Sequence, residues 1–520
     1  MKIVSVSQMR AIEKEANAHG YTYAQMMEHA GHGLAQIVRS LFEKDEEEEE
    51  KIALGLVGSG NNGGDTLVAL ATLAQCGWEA VAYLARPRPE DDILIRRLIE
   101  NGGEVLSLEQ DPDLHTLDVW ISSSTVLLDG ILGTGVQLPL KPELANFIRH
   151  VALFEPLPYV VAVDCPSGVD CESGAAAEDC IQADMTICME AIKAGLLRFP
   201  AFKFVGELKT IDLELPKDYT SEENYIGEVV TPDLVRTLLP KRPLEAHKGT
   251  FGTAMIVAGS TNYTGAVFLA GKSAYRIGAG LVRMAIPGPL HAVLAGHLPE
   301  AIWLILPHSD GVISSGAEDV LIRNLENVTA LLIGPGLGLE DTTAEFLQRL
   351  LTSKLSILSK LPPLVIDADG LTLLAKIPDW PKLLPGSTIL TPHPGEMSRL
   401  TGLETRLIQA DRIEVARHFS VEWKHVVVLK GALTVISDPK GRIAVVPVAT
   451  PALARAGTGD VLAGIITGLL AQGLSPADAA LAGAWLHAKA GIIASNLIGH
   501  PAAVLAHDIL DALPEVLRYL

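Results

Sequence analysis

Apolar, β-branched runs alternate with helical patterns along this chain, and several runs end in a glycine-rich loop that leads into the next helix. A helix between consecutive strands returns the chain to the same end of the sheet, so the pattern dictates an α/β architecture built on parallel sheets. In the first part the strand candidates are Lys51–Val57, Glu79–Leu84, Thr125–Leu128, Tyr159–Val163 and Met185–Cys188. Helical patterns fill Thr66–Gln75 and Asp91–Glu100, and residues 8–42 read as two helices broken near Gly20–Tyr23. The second part repeats the alternation with strands at Thr253–Ala258, Leu281–Ala285, Ala330–Ile333, Leu364–Asp367, Ser387–Leu390 and Val426–Leu429. It closes with two helices, Val461–Ala471 and Pro476–Ile493.

At roughly 100 to 200 residues per domain, 520 residues call for more than one core. The polar, turn-rich stretch Pro216–Asn224 marks the boundary, giving domains at 1–216 and 225–520. No sequence repeat relates the two, so they are expected to be different domains fused. A hydrophobic content of 48% excludes disorder, and glycines without a triplet period exclude collagen.

The formal charge of −21 argues against nucleic-acid and anionic-membrane partners. Residues 1–220 carry 17 basic and 35 acidic groups, against 24 and 27 in the rest, so the acidity sits in the first part. The six acids Asp45–Glu50 read as a solvated connection. Five cysteines without a Cys-x-x-Cys pair suit a reducing compartment and give no zinc spacing. The charged start lacks the apolar core of a signal peptide, and no apolar stretch reaches the ~18 residues needed to cross a bilayer. A cytoplasmic address, no membrane and assembly as a homo-oligomer are expected.

After the run KIALGLV comes Gly58-Ser59-Gly60-Asn61-Asn62-Gly63-Gly64-Asp65. It contains the dinucleotide fingerprint G-x-G-x-x-G, but no acid closes the second strand to receive a ribose, and Asp65 would set a carboxylate beside the phosphate-binding amides. Asn61, Asn62 and Asp65 instead offer oxygens suited to a hydroxyl-rich ligand or a hard cation. Two similar loops, Asp129–Gly135 and Asp164–Asp170, also follow apolar runs. Ligands in open parallel sheets bind beyond the carboxyl ends of the strands, so three such loops are expected to converge on one crevice. Asp164 is either an acid/base group or the cap of the Pro166–Gly168 turn.

GSGNNGGD, DGILGTG, DCPSGVD and the earlier Met27-Glu28-His29-Ala30-Gly31 resemble the N-terminal, NAD(P)HX epimerase domain of the bifunctional NAD(P)H-hydrate repair enzymes. The resemblance covers about residues 1–215 and implies a Rossmann-like three-layer α/β/α sandwich. It implies that Asn61, Asn62, Gly63, Gly64 and Asp65, the loop Gly133, Thr134, Gly135, Val136, Gln137, Leu138 and Pro139, and Asp164 contact the hydrated dinucleotide. It also implies a potassium ion held by Asn62, Asp129 and Ser167. Thr66 stands where the family usually has Gly, which is costly if that position needs positive φ or close ligand approach.

In the second part, Gly457-Thr458-Gly459-Asp460 opens a helix. Amides at a helix start form an anion hole, and Asp460 is either the base for an attacking hydroxyl or an N-cap. With Lys430-Gly431-Ala432-Leu433-Thr434, Asp367-Ala368-Asp369 and Thr391-Pro392-His393-Pro394-Gly395-Glu396, the set resembles the ribokinase-like α/β fold. The near P-loop Gly265…Gly271-Lys272-Ser273 has five intervening residues instead of four and reads as helix-borne coincidence.

KGTFGTAMIVAGSTNYTGA, YRIGAGLVR, IGPGLG and LTPHPGEMSRL are similar to the ADP-dependent NAD(P)HX dehydratases over about residues 225–515. The similarity implies that Ala266, Gly336 or Gly338, His393 and Asp460 face the hydrated dinucleotide, and that Lys430, Gly431, Ala432, Leu433, Thr434 and Gly459 bind the adenine nucleotide. Magnesium and ADP are the implied cofactors. Thr450 and Ala452 replace the family's usual Asn and Gly ahead of GTGD. The competing readings are a small-molecule kinase of the hydroxymethylpyrimidine type in the second part, and a first part that binds without catalysis.

Overall fold

The structure, a computed structural model, describes residues 1–42, 51–216, 224–352, 361–386 and 388–520. The acidic run, most of the expected boundary segment and Ser387 lie outside the described residues. The chain divides into two α/β units, Met1–Glu228 and Val229–Leu520.

The strands of the first unit are β1 (Lys2–Val4), β2 (Ile52–Val57), β3 (Glu79–Leu84), β4 (Glu104–Ser107), β5 (Val126–Gly130), β6 (Tyr159–Val163), β7 (Met185–Met189), β8 (Ile192–Lys193), β9 (Glu207–Ile211) and β10 (Gly227–Val229). Seven of them form one sheet in the order β4-β3-β2-β5-β6-β7-β9, every neighbouring pair parallel. The order reverses between β2 and β5, and a reversal of that kind opens a crevice at the carboxyl ends. Two buried apolar clusters cover the faces, one around Leu34, Val57, Leu67 and Val163, the other around Leu54, Tyr83, Phe147 and Ile148. Away from this sheet, β1 pairs in parallel with β8, and Lys2 and Ile3 pair antiparallel with Glu228 and Gly227.

The second unit contains β11 (Thr253–Val257), β12 (Leu281–Pro287), β13 (Ile302–Leu306), a small hairpin of β14 (His308–Ser309) and β15 (Val312–Ile313), then β16 (Ala330–Ile333), β17 (Leu364–Ile366), β18 (Ile389–Leu390), β19 (Val426–Leu429), β20 (Val435–Ser437) and β21 (Ile443–Val445). Its strands run in the order β13-β12-β11-β16-β17-β18-β19-β20-β21, parallel as far as β19 and antiparallel from there. Because β11, β16, β17, β18 and β19 are adjacent, the loops that follow them emerge side by side.

The structure corrects several local expectations. The helix after the first glycine loop starts at Asn61, five residues before Thr66, so half of that loop is the first helical turn. The chain ends with three helices, Thr458–Ala471, Pro476–Ile498 and Ala506–Arg518, where the sequence suggested two. The last was obscured by Pro514 in its interior. Short strands β4 and β9 were missed because charged residues interrupt their apolar runs, and β20 and β21, though fully buried, because they are three residues long; nothing in the local sequence explains why the apolar run of β13 was missed. The near P-loop lies inside the helix Thr264–Arg276, where Lys272 bonds Asp511, as helix-borne coincidence requires.

The helix Thr458–Ala471 is buried on every side and packs on Thr264–Arg276 through its glycines. A Cβ at Gly464 would overlap the Ala270 carbonyl oxygen and Ser273 Oγ, and one at Gly468 would overlap Ile277. Gly464→Ala gains about 1 kcal/mol of intrinsic helix propensity. We nonetheless expect it to lower stability by about 1–3 kcal/mol, since backbone must shift to admit the methyl. Urea unfolding checks this, and a stabilised variant would show that the two helices can move apart freely.

Candidate active sites

In the first unit the three loops meet. Gly58 N donates to Gly130 O at 3.1 Å. Asn62 Nδ2 donates to Leu132 O at 3.2 Å and Val163 O at 2.5 Å, and Leu132 N donates to Ser167 Oγ at 3.0 Å. Ser167 in turn donates from both Oγ and its backbone N to the Asp129 carboxylate. Asp129 is fully buried, and burial pushes its carboxyl up to about 6 against the hydrogen bonds from Ser167. Asn62, Asp129 and Ser167 therefore form one oxygen-rich knot joining the ends of β2, β5 and β6.

Thr66 has ordinary helical backbone, with no positive φ. Its side chain is fully buried beneath the sheet ends, and its Oγ1 donates to Asn62 O at 2.7 Å. Room for it comes from Gly130, whose Cβ would overlap Thr66 Oγ1. The departure from glycine is accommodated inside the core, and Thr66 does not line the cavity.

A cavity of about 620 Å³ opens beside this knot. Ser59, Gly60, Asn61, Asn62 and Gly63 form one wall, and Gly133, Thr134, Gly135 and Val136 another. Gly64, Asp65, Gln137, Leu138, Pro139 and Asp164, expected to contact the ligand, are not among the residues that line it. Four charged side chains that sequence reading did not single out also reach the cavity: Arg10, Glu13 and Lys14 from the helix Val6–Ala18, and Arg86 after β3.

Asp164 sits at the end of β6 with φ +66°, a left-handed conformation that costs a non-glycine residue strain. Its Oδ1 accepts from Met189 N at 2.9 Å and from Lys193 Nζ. Lys193, almost completely buried, also donates to Met189 O at 3.0 Å. Burial is the largest single influence and works against its charge, but Asp164, Cys188 and Cys171 together outweigh it and hold the ammonium above its usual range. Burial, then Asp164 and Glu13, pushes Asp65 well up, and burial likewise raises Glu13. One lysine thus faces three carboxylates. Lys193 carries no glycine signature and follows a two-residue strand, so nothing in its local sequence marked it.

In the second unit Gly334, Asp367, Thr391 and Lys430 begin the loops after β16, β17, β18 and β19. Lys430 Nζ lies 2.6 Å from Asp367 Oδ1 and 3.6 Å from Glu396 Oε2, while Thr391 Oγ1 donates to Asp367 at 2.8 Å. The ammonium that the sequence offers to phosphate is therefore held among carboxylates. Gly459 faces this group: its Cβ would fall 3.5 Å from Lys430 Nζ and 3.9 Å from Asp367 Oδ2. Asp460 follows in the first helical turn, and burial together with Asp367 pushes it up to about 7. Glu396 rises to about 7 for the same leading reason, burial. The Asp460 side chain does not cap its helix, whose N-cap is Gly457 at φ +89°.

His393 is the N-cap of the helix Pro394–Thr401, its Nδ1 accepting from Gly395 N at 3.0 Å, and its ring is half exposed. Burial and then Lys430 keep it below the usual histidine range. Ala266 and Gly336 are neighbours, and Gly338 N donates to Asp369 Oδ2 at 2.9 Å. Thr434 Oγ1 closes the Lys430–Thr434 loop onto Gly431 O at 2.9 Å, and Leu433 adopts φ +57°. Thr450 caps a short helical turn by accepting from Ala452 N at 3.3 Å, and Ala452 lacks positive φ, so neither departure ahead of GTGD disturbs the backbone.

Residues 23–195 match the YjeF-related protein N-terminus and residues 254–515 the NAD(P)H-hydrate dehydratase family. The bifunctional NAD(P)H-hydrate repair enzyme Nnr of Moorella thermoacetica is 35% identical, with 100% of this chain and 97% of that protein covered. The chain belongs to the bifunctional NAD(P)H-hydrate repair enzymes. Relatives of the same description from Salinibacter ruber, 35% identical over 99% of this chain and 96% of that one, and Escherichia coli, 33% over 98% and 92%, agree. The solved ADP/ATP-dependent NAD(P)H-hydrate dehydratase of Bacillus subtilis, co-crystallized with ATP/Mg2+, is 34% identical, with 56% of this chain and 98% of that one covered and a TM-score of 0.48.

As a bifunctional repair enzyme, the chain carries an NAD(P)HX epimerase and an ADP-dependent NAD(P)HX dehydratase. Among the described residues no helix is long and apolar enough to cross a membrane, and all five cysteines are free.

The knot at Asp129 has a measurable consequence. Its folded carboxyl is raised, so the stability it lends is present in full below the ordinary carboxylate range near 3.8 and is lost as pH rises through about 6. Asp129→Asn should flatten this part of the stability–pH curve. Thermal melts on either side of pH 6 read it, and an unchanged slope in the variant would show that Asp129 is not the titrating group.

Proposed function

We propose that residues 1–216 interconvert the R and S forms of NAD(P)HX at the cavity beside Asn61–Gly63 and Gly133–Val136, with Asp164 as acid/base group. Residues 225–520 remove water from the S form, using ADP as phosphoryl donor and Asp460 as base. The observation that carries this reading is Asp460 itself. It is a partly buried carboxylate that desolvation raises to about 7, at the start of a helix in which the Gly459 and Asp460 amides precede the first helical hydrogen bond, from Val461 N to Gly457 O. A base with that pKa is matched to proton transfer near neutral pH.

In the dehydratase, Asp460 takes the proton of the hydrate's hydroxyl as that oxygen attacks the terminal phosphorus of the nucleotide. The amides of Gly459 and Asp460 stabilise the charge that builds on the transferring group. Phosphate is a far better leaving group than hydroxide, and its departure restores the dihydronicotinamide ring. Lys430, anchored by Asp367, keeps a positive charge beside the reacting phosphate, while the Lys430–Thr434 loop and Gly459 hold the nucleotide. Ala266, Gly336, Gly338 and His393 border the dinucleotide.

The acceptor chemistry suits the expected ions. Asp367, Asp369 and Glu396 outnumber Lys430, and magnesium is commonly held by one or two carboxylates together with substrate phosphates. When bound it offsets phosphate charge. In the first unit, Asn62 Oδ1, the Asp129 carboxylate and Ser167 Oγ are oxygens that could hold a cation, and Asp129 is a buried carboxylate without a cationic side-chain partner among the described residues, which fits potassium. Arg10, Lys14 and Arg86 are placed to meet the dinucleotide's phosphates.

Purified protein given ADP and NADHX should regain the ultraviolet absorbance of the reduced nicotinamide. Asp460→Asn should slow that recovery by about 10²–10⁴-fold, and in the wild type the rate should fall as pH drops through about 7, where Asp460 takes up its proton. A stable phosphorylated product without recovery of absorbance would favour a small-molecule kinase instead.

A further inference from the structure

In an open parallel sheet with a glycine-rich loop after its first strand, the end of the second strand decides which dinucleotide is held. An acid there accepts the ribose 2′-hydroxyl, whereas an arginine accommodates a 2′-phosphate. In the first unit the glycine loop follows β2, the next strand is β3, and no acid closes it. β3 ends at Leu84, and Ala85 N donates to Val57 O at 3.0 Å, which sets Arg86 beside Gly58 at the start of the glycine loop.

Two arginines leave this strand end with different tasks. Arg88 is largely buried, pairs with Asp92 at 2.7 Å and donates from Nη1 to Gly58 O at 2.8 Å, so it holds the glycine loop in shape. Arg86 is half-buried and lines the cavity, and its side chain has no ion-pair or hydrogen-bond partner among the described residues. All of its donors remain for a ligand.

The rest of the cavity accounts for the pyrophosphate without Arg86. Gly64 N makes the first bond of the helix, to Gly60 O, so the amides of Asn61, Asn62 and Gly63 have no helical partner and can receive it. Asp65, whose carboxylate would repel phosphate from them, is buried and does not line the cavity. Strand order then orients the ligand. The two walls follow β2 and β5, Asp164 follows β6 on the far side of β5, and β3 lies on the far side of β2. With the reacting ring on the β5 and β6 side, the adenosine half runs toward β3 and Arg86. The local charge agrees: Arg10, Lys14 and Arg86 outnumber Glu13 along the cavity, although residues 1–220 carry 35 acidic against 17 basic groups. A phosphate monoester adds up to about two negative charges, as a match for that surplus.

We infer that Arg86 reads the 2′-phosphate, so that the epimerase favours NADPHX over NADHX. This rests on the epimerase reading above and deepens it. A guanidinium meets a phosphate with two parallel N–H···O bonds, while the ribose of NADHX offers only a neutral hydroxyl at the same place.

The test uses the full chain without ADP, so that dehydration is idle, and follows the conversion of purified R-NADHX and R-NADPHX to their S forms by chromatography. In wild type kcat/KM should be about 10- to 100-fold higher for NADPHX, and raising the salt concentration should shrink that preference. Arg86→Ala should bring the two substrates to within a few-fold of each other, and Arg86→Lys should keep part of the preference. Arg86→Asp should invert it, because an acid accepts the hydroxyl and repels the phosphate. Equal kcat/KM for the two hydrates in wild type would overturn the inference. So would a preference that survives in Arg86→Ala, whether or not both rates fall, since equal losses mark a residue that only supports the loop. If wild type interconverts the epimers of neither hydrate, the epimerase reading itself fails and not merely the role of Arg86.

Discussion

Both sites depend on one lysine, fully buried in the first unit and partly in the second, facing more carboxylates than it can neutralise. In the first unit Lys193 holds Asp164 while Asp65 and Glu13 stand near. In the second, Lys430 bonds Asp367 and approaches Glu396 and Asp460. An isolated charge cannot be buried cheaply, so each surplus carboxyl must hold a proton or wait for a cation. That surplus is the source of raised carboxyls near neutrality, which acid/base work requires. It also gives a chain of net charge −21 a means of receiving polyanionic substrates: binding rests on amides, a few local cations and metal ions rather than on the global field.

The fold delivers these groups by the same device twice. Parallel strands end together, and where their order reverses the following loops face one another. Gly58, Asp129 and Asp164 come from the ends of β2, β5 and β6, and Gly334, Asp367, Thr391 and Lys430 from β16, β17, β18 and β19. Close backbone approach keeps these positions exact to within a methyl group. Gly130 admits Thr66, and Gly464 lets the helix carrying Asp460 lie against the helix carrying Ala266.

Much of this was legible in the sequence, because strand-end loops announce themselves through glycine and oxygen-bearing residues flanking apolar runs. Tyr159–Val163, Ala330–Ile333 and Val426–Leu429 are strands as read, and the three loops of the first unit meet. What escaped was whatever depends on long-range packing. Lys193 is marked only by what surrounds it in space, 29 positions from Asp164. Glu13 lies on an amphipathic helix whose polar face looks like any solvated face until the cavity is seen against it. Thr66 looked costly because local sequence could not tell a helical, inward-facing position from a ligand-facing one. The helix Ala506–Arg518 was hidden by its own proline.

The claim that surplus buried carboxyls keep protons near neutral pH is most directly tested by infrared difference spectroscopy of the intact, ligand-free chain across pH 5 to 8. A protonated-carboxyl band should titrate near pH 7 and lose intensity separately in Asp460→Asn and in Glu396→Gln, the two groups raised to about 7. If no protonated-carboxyl band titrates between pH 5 and 8, as for ordinary solvent-exposed carboxylates, the lysines neutralise their surroundings fully and the account is wrong.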